Sequence, residues 1–129
     1  MKTAISAVKA PSAIGPYSQA IKYGDMIFLS GQLPLNAENG CMPDGIEEQT
    51  RQVLENIKFV LEAQSLSLES IVKTTVFLKD MSHFAKMNGI YDKYFRAPYP
   101  ARSTVQVAAL PKDALIEIEC IAVDANKKY

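Results

Sequence analysis

Cysteine and histidine are scarce in these 129 residues, and tryptophan is missing altogether. Cys41, Cys120 and His83 are the whole supply of soft or imidazole ligands. The two cysteines have no CxxC spacing and the lone histidine has no second imidazole, so neither a disulfide framework nor a cysteine/histidine zinc site is expected. The chain reads as free of metal and cofactor. Surplus charge is also lacking: 14 basic residues balance 14 acidic ones. A nucleic-acid binder normally carries a basic excess or stripe, because phosphate neutralisation supplies much of its affinity. Lys127-Lys128 is the nearest thing to a basic cluster, and no nucleic-acid partner is expected. No apolar run approaches the roughly 20 residues that span a bilayer. Near the start, Lys9 and Pro11 interrupt the apolar stretch before a signal-peptide core can form. The expected location is the cytoplasm, without a membrane partner.

What is present is enough for one hydrophobic core and too little for two, so residues 1–129 read as a single domain. Ser18 to Tyr23 and Met26 to Ser30 alternate like strands and are joined by a tight turn at Gly24-Asp25. A loop rich in Asn, Gly and Pro follows, from about Pro34 to Gly45. From Ile46 to about Gln64 the apolar positions are Ile46, Val53, Leu54, Ile57, Val60 and Leu61, a helical spacing. Ile71 to Leu78 is rich in β-branched residues and predicts a strand. Ser82 is the expected N-cap of a second helix with Phe84, Met87, Tyr91, Tyr94 and Phe95 on its core stripe, ended by Pro98 and Pro100. Two last strands, Arg102 to Ala108 and Leu115 to Val123, flank Leu110-Pro111-Lys112-Asp113. The order ββ-α-β-α-ββ predicts an α+β fold, a single mixed β-sheet with both helices on one face.

Side chains alternate across a strand. In the last strand Ile116, Ile118, Cys120 and Ala122 suit the core, leaving Leu115, Glu117, Glu119, Ile121 and Val123 opposite. Taking Val105 and Val107 as core residues of the preceding strand leaves Arg102, Thr104 and Gln106 on its other face. If the two strands form an antiparallel hairpin, Arg102, Thr104, Glu117 and Glu119 share the side away from the helices. Apolar neighbours on that side, Phe77 among them, would be left in water in a monomer, and such patches mark interfaces. A partner subunit is the expected cover.

Five segments carry a resemblance. They are Ala13-Ile14-Gly15-Pro16-Tyr17-Ser18-Gln19-Ala20, Leu29-Ser30-Gly31-Gln32-Leu33-Pro34, Val72 to Asp80, Pro100-Ala101-Arg102-Ser103, and Leu110 to Ala114 with Ile116-Glu117-Ile118-Glu119. In this order and spacing the chain resembles the RidA (YjgF-like) proteins along its whole length. The resemblance implies a chorismate-mutase-like fold, a homotrimer with clefts at subunit boundaries, and deamination of 2-iminobutanoate and 2-iminopropanoate. It implies Arg102 as the carboxylate clamp and Glu117 as the residue attending the hydrolytic water. Tyr17, Ser30, Gly31 and Asn88 would line the pocket. Thr104 stands where the family commonly has Cys; its backbone carbonyl can still accept from the imine nitrogen. The segment before Pro100 is a few residues shorter than in some relatives.

The chemistry suits these residue types. A guanidinium can hold a carboxylate bidentately and so fix the adjacent C=N carbon, and a carboxyl group can orient water and move protons. Imines hydrolyse without help, so positioning supplies most of what is needed. A non-catalytic, metabolite-binding or regulatory trimer would use the same clamp on a 2-keto acid, and is the alternative function. Without the resemblance, Arg102 and Glu117 read as a cross-strand ion pair. Likewise Tyr17 reads as a turn aromatic, Ser30-Gly31 as a bent strand end, and Asn88 as a locally bonded helix residue. Glu119 is expected to be structural, Cys120 a buried small hydrophobe, Cys41 an exposed thiol and His83 a solvated side chain.

Overall fold

A computed structural model describes residues 1–125; Lys127 and Lys128 lie outside the described residues. Eight principal elements follow one another: β1 (Thr3–Ile5), β2 (Ala20–Tyr23), β3 (Met26–Gln32), α1 (Ile46–Glu62), β4 (Ile71–Leu78), α2 (Phe84–Tyr94), β5 (Ala101–Gln106) and β6 (Ile116–Val123). Short 3-10 turns stand at Leu68–Ser70, Met81–His83 and Pro111–Asp113. β1 is an addition to the expected order. At three residues it is too short for its alternation to register, and only its pairing with β2 defines it.

The two helices form where apolar spacing demands them. All six apolar positions expected on α1 are buried, and Glu47 and Glu48 occupy its first turn, where the helix dipole favours negative charge. On α2, Met87, Tyr91 and Phe95 are buried as expected, along with Ile90. Phe84 is not core: it is 37% exposed. Nor is Ser82 the cap. The Asp80 carboxylate accepts from the Ser82 N–H at 2.8 Å, capping the 3-10 turn that leads into α2.

The sheet is single and mixed, in the order β1-β2-β3-β6-β4-β5. Only β4 and β5 are parallel, with α2 as the crossover between them. α1 packs over β3 and β6, and α2 packs on α1. The expected final hairpin does not exist. β6 inserts between β3 and β4, while β5 is the edge strand on the far side of β4. The Leu110–Asp113 segment is no hairpin turn: Lys112 and Asp113 take φ of 57° and 59°, and the chain returns from the sheet edge to its centre.

This topology reverses β5. Arg102, Thr104 and Gln106 are in register with Thr74, Val76 and Leu78, whose side chains face the helices. Val105 pairs with Phe77 on the open face, where it is 42% exposed. Arg102 and Glu117 therefore leave the sheet on opposite sides, contrary to the expectation of a shared face. Phe28, 43% exposed, shares the open face with Ile121, its ladder partner.

Two buried amides tie loops to this frame. Asn56 Nδ2 donates to the carbonyls of Leu33 and Leu35, both at 2.9 Å, fixing the chain beyond β3. Gln19 receives the Ala7 N–H at 2.6 Å and donates to the Pro11 carbonyl at 2.7 Å, holding the N-terminal segment beside β2.

Candidate active site

Arg102 sits under α2 on the helix side of the sheet. Its Nη1 donates to Asn88 Oδ1 at 2.7 Å. Its guanidinium carbon lies 4.8 Å from the Tyr91 ring centroid and 5.5 Å from that of Phe84. Phe84, Asn88 and Tyr91 recur at helical spacing, so one stripe of α2 supplies all three contacts. Tyr91 is held in turn by Thr74, whose hydroxyl lies 2.8 Å from the phenol oxygen. Burial raises the Tyr91 pKa, so the ring stays neutral beneath the guanidinium. One nitrogen of the fork is thus engaged by Asn88, leaving other N–H donors for a ligand. A groove of about 720 Å³ opens beside it, lined by Asn88, Gly89, Tyr91, Asp92, Tyr99 and Arg102.

Thr104 also faces the helix side, two residues along the same strand. Its Oγ1 is buried without a hydrogen-bond partner among the described residues.

The second group gathers on the other side, around the end of β3. The β3–β6 register slips between Leu29 and Gln32, where one extra β3 residue makes a bulge at Ser30-Gly31. Gly31 lies directly against Glu117: a β-carbon there would come within 2.9 Å of its Cδ. Only glycine permits this approach. Ser30 Oγ donates to the Ser18 carbonyl at 2.6 Å, and the Ser30 N–H to the Gln19 carbonyl at 3.0 Å. These bonds bring the segment after Tyr17 alongside the bulge. Tyr17 itself is exposed, its hydroxyl accepting from the Ile14 N–H at 3.4 Å.

Half-burial raises the Glu117 pKa above its ordinary value, and the Glu119 carboxylate adds to the rise. Arg102 is not among the causes, because the sheet stands between them. The cross-strand ion pair of Arg102 and Glu117 expected from the sequence is absent within one chain. Elsewhere, Cys120 is buried and its thiol is pushed up to about 12, chiefly by that burial, while Cys41 is exposed. His83 is only partly solvated: its Nδ1 is buried without a hydrogen-bond partner among the described residues.

The candidate residues therefore form two half-sites. Arg102, Asn88 and Thr104 make one, and Glu117, Gly31, Ser30 and the Tyr17 segment the other. Sequence reasoning placed Phe84 and Tyr91 in the core and passed over Thr74; the spacing of Phe84, Asn88 and Tyr91 was the available signal for their shared stripe.

A family model described as Endoribonuclease L-PSP matches residues 7–124. A crystal structure of a Yersinia pestis protein, described as belonging to the conserved Rid protein family, aligns with a TM-score of 0.92 at 49% identity. The match covers 95% of this chain and 99% of that one. The chain belongs to the Rid family. Within it, a RutC family protein of Pyrococcus horikoshii is 55% identical over 95% of this chain and 98% of its own length. The 2-iminobutanoate/2-iminopropanoate deaminase of Escherichia coli is 49% identical, over 95% and 98%. Among the described residues no helix is long and apolar enough to cross a membrane, and no cluster of three or more potential metal ligands occurs.

Proposed function

We propose that this chain hydrolyses 2-imino acids, 2-iminobutanoate and 2-iminopropanoate among them, to 2-keto acids and ammonia in clefts completed by a second copy within a homotrimer. The observation that carries the reaction is the near-end-to-end likeness to the Escherichia coli deaminase. The geometry supports the roles. Arg102 holds the substrate carboxylate with the donors that Asn88 leaves open. Water adds to the C=N carbon, forming a carbinolamine as a proton passes to nitrogen. Collapse of that adduct expels ammonia and leaves the keto group. Glu117 orients the water and moves the protons, and burial holds its pKa above the ordinary carboxylate value. The Thr104 carbonyl accepts from the imine nitrogen, and Tyr17, Ser30 and Gly31 wall the cleft.

One chain cannot present both Arg102 and Glu117 to one imine, since they occupy opposite faces. Joining the Arg102 half-site of one copy to the Glu117 half-site of the next removes the difficulty. Exposed Phe28 and Val105 on the open face support such an assembly. The cytoplasm is the proposed location.

The test is to generate 2-iminobutanoate with a dehydratase and follow keto-acid release. The purified protein accelerates it, and Arg102→Ala loses the acceleration while keeping its oligomeric state. A fully active Arg102→Ala protein would refute the assignment.

A further inference from the structure

Thr74 is fully buried on the helix face of β4, among Val76, Leu78 and other apolar groups. Valine would fill the same space without a hydroxyl to satisfy, and a buried hydroxyl is costly unless bonded. Thr74 meets that need with the Tyr91 phenol at 2.8 Å. The same residue is the direct ladder partner of Arg102. Its backbone thus sets the height of Arg102 on β5, while its hydroxyl anchors the ring over which the guanidinium lies. Phe95 packs against that ring with centroids 4.5 Å apart and the planes tilted by 33°. Tyr91 is pinned at its oxygen and along its ring, and only then meets Arg102.

Resting on the reading of Arg102 as the carboxylate clamp, we propose that Thr74 and Tyr91 are positioning residues, a buried hydroxyl–phenol pair that aims the guanidinium. Arginine has many rotamers, and ordering it on binding costs affinity. A ring locked in place restricts the guanidinium from one side, and Asn88 fixes one nitrogen. What remains is a fork already turned toward the ligand. A free phenol ring would give the clamp a movable floor. Thr74 touches no substrate and takes no proton.

The experiment measures turnover of 2-iminobutanoate and, separately, the Kd for 2-oxobutanoate by calorimetry. Thr74→Val weakens keto-acid binding on the order of tenfold, as expected for a displaced clamp, while kcat changes far less. Thr74→Ser, which keeps the hydroxyl, restores binding. Tyr91→Phe weakens it as well, and the double variant Thr74→Val/Tyr91→Phe binds no more weakly than either single variant, because all three lose the same bond. A structural pair would show this pattern in thermal stability only. Unchanged Kd in Thr74→Val and Tyr91→Phe, beside an inactive Arg102→Ala, overturns the proposal and leaves the deaminase reading standing. A fully active Arg102→Ala overturns the reading itself. Should Thr74→Val fail to fold, Tyr91→Phe and Thr74→Ser decide alone.

Discussion

Gly31 and Glu117 touch across the β3–β6 ladder so closely that a β-carbon on residue 31 would overlap the carboxyl group of residue 117. The bulge at Ser30-Gly31 thus shapes a backbone niche that fixes where this carboxyl stands. Gly31→Ala forces the carboxyl aside, and misplacement of a catalytic group by about 1 Å costs on the order of a hundredfold in rate. The expected outcome is a large fall in kcat for 2-iminobutanoate. Gly31→Ala/Glu117→Ala should recover thermal stability but not activity. A Gly31→Ala enzyme with unchanged kcat would show that the niche does not hold Glu117.

Glu119 shares the open face with Glu117 and helps raise its pKa. Glu119→Gln removes a like charge, so the acidic limb of the activity profile moves to lower pH. Stability carries the same sign. The folded-state pKa of Glu117 lies above the unfolded one, so its contribution is complete below the unfolded value near 4.5 and is lost as pH rises through the folded value. Glu117→Gln should therefore melt higher than the parent above that window, and the difference should shrink toward acid. Melting curves across pH check it; a gap that widens toward acid contradicts the raised pKa.

Arg102 and Glu117 on opposite faces make a specific demand of an assembled enzyme. In the proposed homotrimer, Arg102→Ala and Glu117→Ala proteins are each inactive, yet mixed trimers refolded from both contain some clefts with both native side chains. Random mixing restores roughly a quarter of the parent rate. Co-refolding followed by the coupled assay measures it. No recovery would mean that each cleft draws both groups from one chain, against the topology described here.

Asn56 holds the Leu33 and Leu35 carbonyls from beneath the chain that leaves the bulge. Asn56→Ala leaves both carbonyls without their donor. A loss of about 2–3 kcal/mol is expected in urea denaturation, on the scale of an unsatisfied buried group. Loosening of this segment should also lower kcat, because Gly31 is anchored at its start.

Much of this was legible beforehand. The α1 stripe, the β4 strand and the alternating core of β6 follow from periodicity, since burial on one side writes a repeat into the chain. Tyr17, Ser30, Gly31, Arg102 and Glu117 stand out in the motif segments as candidates, whereas Asn88 and Thr104 lie outside those segments. β5 was not legible. Val105, with Val107 just past its end, suggested a core face, but β5 is an edge strand whose helix-facing side meets Asn88 and Tyr91 rather than aliphatic side chains. Valine on its open face has no cover within the chain, so the usual inference from apolar to buried fails there.

The sequence by itself determined which residues share a strand face, which helix stripes are apolar, and which family's motifs the chain bears. Only the tertiary structure decided that β6 enters between β3 and β4, that β5 runs parallel to β4, and that Arg102 and Glu117 consequently part company across the sheet. The reason is physical. Alternation is a local property of the backbone, whereas the side of the sheet on which a face lies depends on which distant strand supplies the hydrogen bonds.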